Sequence, residues 1–215
     1  MSKLLSACFR GDIRKANLLI SDGANVNEKN EYGWSLLHIA CYTDNFKIAE
    51  LLVSHGANVN EKNNYGKTPL FYACNKNKSC YKFVEFMISH GANIYEKSTE
   101  GYTLLHIACN YDDHKMVDLL IDHGMNVNEK NILGNTPLHN ACFRGCHNIV
   151  KLLILHGANI NSANNKKETP MHIVHKYRHH DIVNLLEKEM KKRIYVLSLI
   201  VNRDVIKYYI IKKID

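Results

Sequence analysis

The sequence predicts an all-α fold: a solenoid of stacked helix-turn-helix units with a C-terminal helical cap. Three observations carry this expectation. First, Gly-Ala-Asn begins at Gly23, Gly56, Gly91 and Gly157, and Gly-Met-Asn begins at Gly124, so the steps are 33, 35, 33 and 33 residues. Second, a helix-start signal keeps the same spacing: Ser35-Leu-Leu-His38, Thr68-Pro-Leu-Phe71, Thr103-Leu-Leu-His106, Thr136-Pro-Leu-His139 and Thr169-Pro-Met-His172. Third, the apolar residues between these signals fall at helical rather than strand spacing. A unit of this length cannot bury its apolar face alone, so neighbouring units must stack to complete a core.

Taken in order, residues 2–29 lack a leading turn and form an N-terminal half-repeat cap. The unit 30–62 shows the full pattern. Asn30-Glu31-Tyr32-Gly33 is a turn, in which Asn bonds its own backbone and Gly supplies a positive φ. Ser35 caps a first helix over about 36–42, with Leu37, Ala40 and Cys41 facing the neighbour. Thr43-Asp44-Asn45 breaks it. A second helix over about 46–54 turns Ile48, Leu51 and Leu52 inward and ends at His55-Gly56, with Gly in the left-handed position. Units 63–97, 98–130 and 131–163 repeat this plan. The first of them holds two extra residues near Lys76-Asn77-Lys78-Ser79, which lengthens its inter-helix turn. The unit 164–190 carries Lys167 where the others have Gly and lacks the closing Gly-Ala-Asn, as expected of a degenerate terminal repeat. Residues 191–215 leave the pattern. Val205, Tyr208, Tyr209 and Ile211 or Lys212 fall near helical spacing, which favours one or two helices folded over the last repeat; a detached partner-binding segment is the alternative.

Composition narrows the function classes. An apolar content of 46% suits a folded chain. No apolar stretch approaches the roughly 20 residues of a membrane helix, and Met1 to Cys8 does not resemble a secretory signal. The net charge is +7, and residues 188–215 hold eight Lys or Arg against three acids, so the excess sits in the tail. Of seven cysteines, Cys8, Cys41, Cys74, Cys109 and Cys142 share one position per unit. Packed helices stand roughly 8–10 Å apart and a disulfide needs Cα atoms within about 7 Å. These five are therefore expected to be small buried thiols in a reducing compartment, cytoplasmic or nuclear. Cys80 and Cys146 also share a position, two units apart. His179 and His180 lack a third metal ligand. No phosphate loop, Gly-x-Ser-x-Gly or His-Glu-x-x-His is present. Catalytic residues, cofactor and metal are all expected to be none.

The period, the Thr-Pro-Leu-His signal and the Gly-Ala-Asn closure resemble the ankyrin repeat over residues 2–190. The resemblance adds protruding β-hairpin loops to the solenoid, and it implies that His38, His106, His139 and His172 bond turn backbone and tie one repeat to the next. It implies that Asn27, Asn60, Asn128 and Asn161 either bond within their turns or, less favoured, accept a hydroxylase. It also implies a non-enzymatic adaptor, scaffold or inhibitor that binds another protein on its concave side, through hairpin tips and first helices.

Those positions are rich in rings, holding nine of the nineteen aromatic residues of the chain. The candidate partner-binding residues are Phe9, Arg10, Tyr32, Trp34, Tyr42, Tyr65, Lys67, Tyr102, Tyr111, Ile132, Leu133, Phe143, Arg144 and Tyr177. Tyr and Trp are the usual interface anchors, and Ile132-Leu133 adds an apolar point at a hairpin tip. Trp34 and Tyr102 are expected to be removable without loss of fold. A monomer is expected. The abundance of Lys, Asn, Ile and Tyr suits the AT-rich coding of viruses and intracellular microbes, which by analogy suggests a host-directed protein acting in host cytosol. The alternatives are nucleic-acid or anionic-membrane binding through the basic tail, or a targeting subunit of an enzyme complex.

Overall fold

The computed structural model describes residues 2–74 and 81–211. Twelve helices occur among them: α1 (Lys3–Arg10), α2 (Ile13–Ser21), α3 (Leu36–Thr43), α4 (Phe46–Ser54), α5 (Pro69–Ala73), α6 (Tyr81–Ser89), α7 (Leu104–Asn110), α8 (His114–Asp122), α9 (Pro137–Arg144), α10 (His147–Leu155), α11 (Pro170–Lys176) and α12 (His180–Ile211). The odd-numbered helices pack side by side from α1 to α11, and each packs on the even-numbered helix that follows it. The core is the seam between the two rows. Leu36, Leu37, Leu70, Leu104, Leu105 and Leu138 fill it from the first row, and Ile48, Leu52, Met87, Met116 and Leu120 from the second, all fully buried. The lengthened turn expected near residues 76–79, and Cys80, lie outside the described residues.

The helices begin as their sequences direct. Ser2 Oγ accepts from Leu5 N at the start of α1. Asp12, Asn45 and Asp113 cap α2, α4 and α8 by accepting from the backbone three residues on. α1 and α9 end on left-handed Gly11 and Gly145. At the equivalent turns Asp44, Asp112 and Arg178 take positive φ without being glycine, a substitution the sequence pattern did not reveal.

The hairpin loops close by backbone bonds. Asn30, Asn63, Ser98, Asn131 and Asn164 each donate N–H to the carbonyl four residues on. Successive tips are also linked: Asn64 N donates to Tyr32 O, Thr99 N to Tyr65 O, Ile132 N to Glu100 O and Asn165 N to Leu133 O. This close approach is why the tip residue is Gly. A Cβ at Gly134 would sit 2.8 Å from Asn165 N, at φ +74°. Lys167 occupies the same place in the last unit at φ 61°. No hairpin follows it, so only the left-handed strain remains.

Residues 191–211 of the C-terminal extension are helical, but they continue the helix of the last repeat rather than forming a separate element. α12 runs unbroken through the expected boundary at 190/191. It covers the stack with Ile182, Val183 and Leu186, and Arg193 Nη2 donates to Ala158 O at 3.4 Å. From Ile194 to Ile200 its side chains stand in solvent. The reason is length: α11, on which it packs, has only seven residues, so α12 outruns its support.

Candidate partner-binding face

Three polar ladders hold the repeats in register and thereby place the loop tips. In the first, a histidine bridges adjacent units. The Ser35 backbone N–H and hydroxyl both point at His38 Nδ1, so Nε2 carries the proton and donates to Lys67 O at 2.9 Å. His106 makes the same bridge to Asn135 O and His139 to Glu168 O. Burial pushes the pKa of His38 and His106 down to about 4, against a smaller upward pull from the accepting carbonyl; His139 is lowered for the same reason. His172 bonds Thr169 but remains exposed, because no further repeat follows.

The second ladder is of asparagine. Asn60 Nδ2 donates to Gly91 O at 2.8 Å, while its Oδ1 accepts from Asn93 N at 2.7 Å. Asn27 and Asn128 repeat this two-point staple to Gly56 and Asn58, and to Gly157 and Asn159. At the third position Tyr95 takes the role, its hydroxyl donating to His123 O at 2.6 Å. The third ladder is of ion pairs, Lys29–Glu61, Lys62–Glu96 and Lys97–Glu129. It escaped the sequence reading, although the Glu-Lys pairs at 28–29, 61–62, 96–97 and 129–130 carry the same period.

On this frame the fourteen candidate residues separate into two groups. Phe9, Tyr32, Tyr42, Tyr65, Ile132, Leu133, Phe143 and Tyr177 are 44–61% exposed, and Arg10 and Arg144 are exposed beside them. Tyr32, Tyr65, Ile132 and Leu133 sit at hairpin tips. Phe9, Tyr42, Phe143 and Tyr177 sit at the ends of first helices. Phe143 and Tyr177 meet edge to face at 4.7 Å, with Arg144 and Lys176 each about 6 Å from a ring centroid.

Trp34, Lys67, Tyr102 and Tyr111 are only partly exposed. Trp34 lies 4.2 Å from the Tyr72 ring of the next repeat and 5.4 Å from Tyr42. Tyr102 packs on His106 at 5.7 Å. Trp34 and Tyr102 thus differ from the exposed candidates: both are partly buried and pack against the core, Trp34 on the next repeat and Tyr102 on its own. The missing signal was Tyr72. It follows Phe71 in a helix start where the other units place Ile or Asn, and its hydroxyl accepts from buried Asn63 Nδ2 at 2.7 Å. That partner fixes the ring beside Trp34, the two planes tilted by 46°.

Nothing in the described residues gathers three metal-ligating side chains. The ladder thiols are packed, not poised. Cys8, Cys109, Cys142 and Cys146 are buried and free. Burial pushes the Cys8 thiol up to about 12 and Cys146 up to about 11, and raises Cys109 and Cys142 further. Cys41 and Cys74 are buried in the same row. No helix of the described residues is long and apolar enough to cross a membrane.

Comparison with known families agrees with this architecture. A family model described as ankyrin repeats (3 copies) matches residues 4–98, 81–164 and 105–196. No curated protein matches the sequence.

Proposed function

The chain belongs to the ankyrin-repeat family, whose members generally mediate protein–protein interaction, and from that premise we propose that it is a non-enzymatic binding module. Its partner is a protein, held along the hairpin tips and the ends of the first helices. One observation supports this reading above the others: eight apolar or aromatic side chains on that side are about half exposed although the repeats beneath them are fully packed. Large rings left in water on a rigid frame are what partner surfaces bury. The same face carries Arg10, Lys67 and Arg144 and also exposed Glu31 and Glu100 at the tips, so its charge is mixed and the apolar side chains are the anchors. A host-directed role would be a use of the same face, and it rests on composition alone.

The test uses the full chain with Tyr65→Ala, Leu133→Ala and Phe143→Ala combined. The expected result is an unchanged thermal melt and a captured protein partner bound at least about 30-fold more weakly, equivalent to about 2 kcal/mol. Trp34→Ala serves as the contrast and is expected to lower the melting temperature. A purified partner that binds the triple variant as tightly as the parent would place the interface elsewhere.

A further inference from the structure

We propose that the projecting part of α12 is a docking helix that lies in the surface of an anionic lipid bilayer. Six of the seven residues from 194 to 200 are apolar, and Ile194, Tyr195, Val196, Leu197, Leu199 and Ile200 are 46–64% exposed. Adjacent positions on a helix point to different sides, so this stretch is apolar all round rather than along one stripe. The single polar residue, Ser198, turns its hydroxyl onto Tyr195 O at 2.7 Å and offers little to water. Elsewhere among the described residues, large exposed apolar side chains stand singly or in adjacent pairs such as Ile132 and Leu133.

The surrounding charge identifies the occupant. Lys188, Lys191, Lys192 and Arg193 precede the stretch, and Arg203, Lys207, Lys212 and Lys213 follow it in the sequence. Of the acids nearby, Glu189 is already paired with Arg193 at 3.2 Å. An apolar helical segment bracketed by cations matches a leaflet of acidic headgroups over acyl chains. Lysine and arginine stems lie along the apolar layer while their heads reach phosphate, and Tyr195 suits the boundary between the two. Seven residues span only about 10 Å of helix, so the segment lies in the interface and does not cross.

Other occupants fit less well. A second copy brings the same positive excess, so two such helices repel. Nucleic acid satisfies the cations but leaves six apolar side chains in water. A protein groove lined by carboxylates covers one side of a helix that is apolar on every side.

The experiment sediments the full chain with vesicles of phosphatidylcholine alone and of phosphatidylcholine with 30% phosphatidylserine, at low and high salt. Leu197→Glu with Ile200→Glu, and Lys191→Ala with Lys192→Ala, are compared. Both pairs lie outside the packed core, and unchanged circular dichroism melts confirm that the stack is intact. The expected result is binding to the acidic vesicles at least tenfold stronger than to the neutral ones and weakened by salt. The glutamate pair should lower it at least tenfold, and each lysine removed should lower it about fivefold. No partition onto acidic vesicles overturns the proposal. So does partition indifferent to the glutamate pair. A dimer that the glutamate pair dissolves, with no vesicle binding, assigns the surface to a second copy instead.

Discussion

Mild acid should destabilise this protein through its buried bridging histidines. His38 and His106 are wholly buried and neutral, each with Nδ1 facing backbone and hydroxyl donors and Nε2 donating to the next repeat. A second proton would have to sit on Nδ1, against an N–H that already points there. Both folded pKa values lie at about 4 against an ordinary value of 6.5. The unfolded chain therefore binds more protons than the folded one throughout this range, and stability falls as pH falls from 6.5 towards 4. Linkage gives a loss of about 0.8 kcal/mol per histidine at pH 6 and about 2 kcal/mol at pH 5, relative to pH 8. Together the pair removes about 4 kcal/mol by pH 5, a large share of the roughly 5–15 kcal/mol that a domain holds.

Carboxylates do not confuse this window. The Lys29 ammonium beside Glu61 lowers its pKa, as Asn164 and Lys176 lower that of Glu168. Their contribution is present above the ordinary carboxylate value of 4.5 and is lost only below it. Urea denaturation followed by circular dichroism at pH 8, 6 and 5, at fixed ionic strength, measures the effect. His106→Gln should be less stable than the parent at pH 8 yet lose about 2 kcal/mol less than the parent does between pH 8 and pH 5. Stability that is flat between pH 8 and pH 5, or a variant with the parent's full slope, would refute the burial argument.

Two further perturbations test the frame. Gly134→Ala combines left-handed strain with a backbone clash at Asn165 and should cost about 2 kcal/mol or more, whereas Lys167→Gly, where no hairpin follows, should stabilise by about 0.5–1 kcal/mol; denaturant midpoints of the pair settle it, and equal effects would contradict the tip-packing account. In a Cys80→Ser chain the six buried thiols should resist a chromogenic disulfide reagent until the chain unfolds; a fast thiol among them would show that the stack opens locally.

The repeat was legible because its signals are local. A cap residue, a left-handed Gly and apolar residues at helical spacing each act within a few residues, and five copies repeat them. The helix over 46–54 was expected from those signals and is α4. What the sequence hid depends on contacts about 30 residues away. Asn60 reads as a turn former until Gly91 and Asn93 are placed beside it. Trp34 reads as an anchor until Tyr72 of the next repeat arrives beside it. Composition alone cannot separate the two fates of an aromatic side chain at a loop, because both favour the same residue types. Tyr32 and Trp34 stand two residues apart in one hairpin, yet one is exposed and the other packed.

That separation has a physical basis that bears on both proposals. In a solenoid each repeat meets only its neighbours, so a ring is buried when the next repeat supplies a surface within reach and stays wet when it does not. Trp34 has Tyr72, whereas the Tyr65 ring is about half exposed. The same rule operates at the end of the stack. Val183 and Leu186 on α12 are covered because α10 and α11 lie beside them. Ile194 to Ile200 run beyond the last first-row helix and have no repeat to cover them. Exposed apolar residues at the tips and on α12 thus share one feature, which is that no neighbouring side chain covers them. They differ in what can cover them. The tips are spaced by the repeat and joined to a rigid frame by backbone bonds, so they suit a partner with a fixed shape. The helix end is apolar on every side and carries its charge in flanking clusters, so it suits a fluid medium that can close around it.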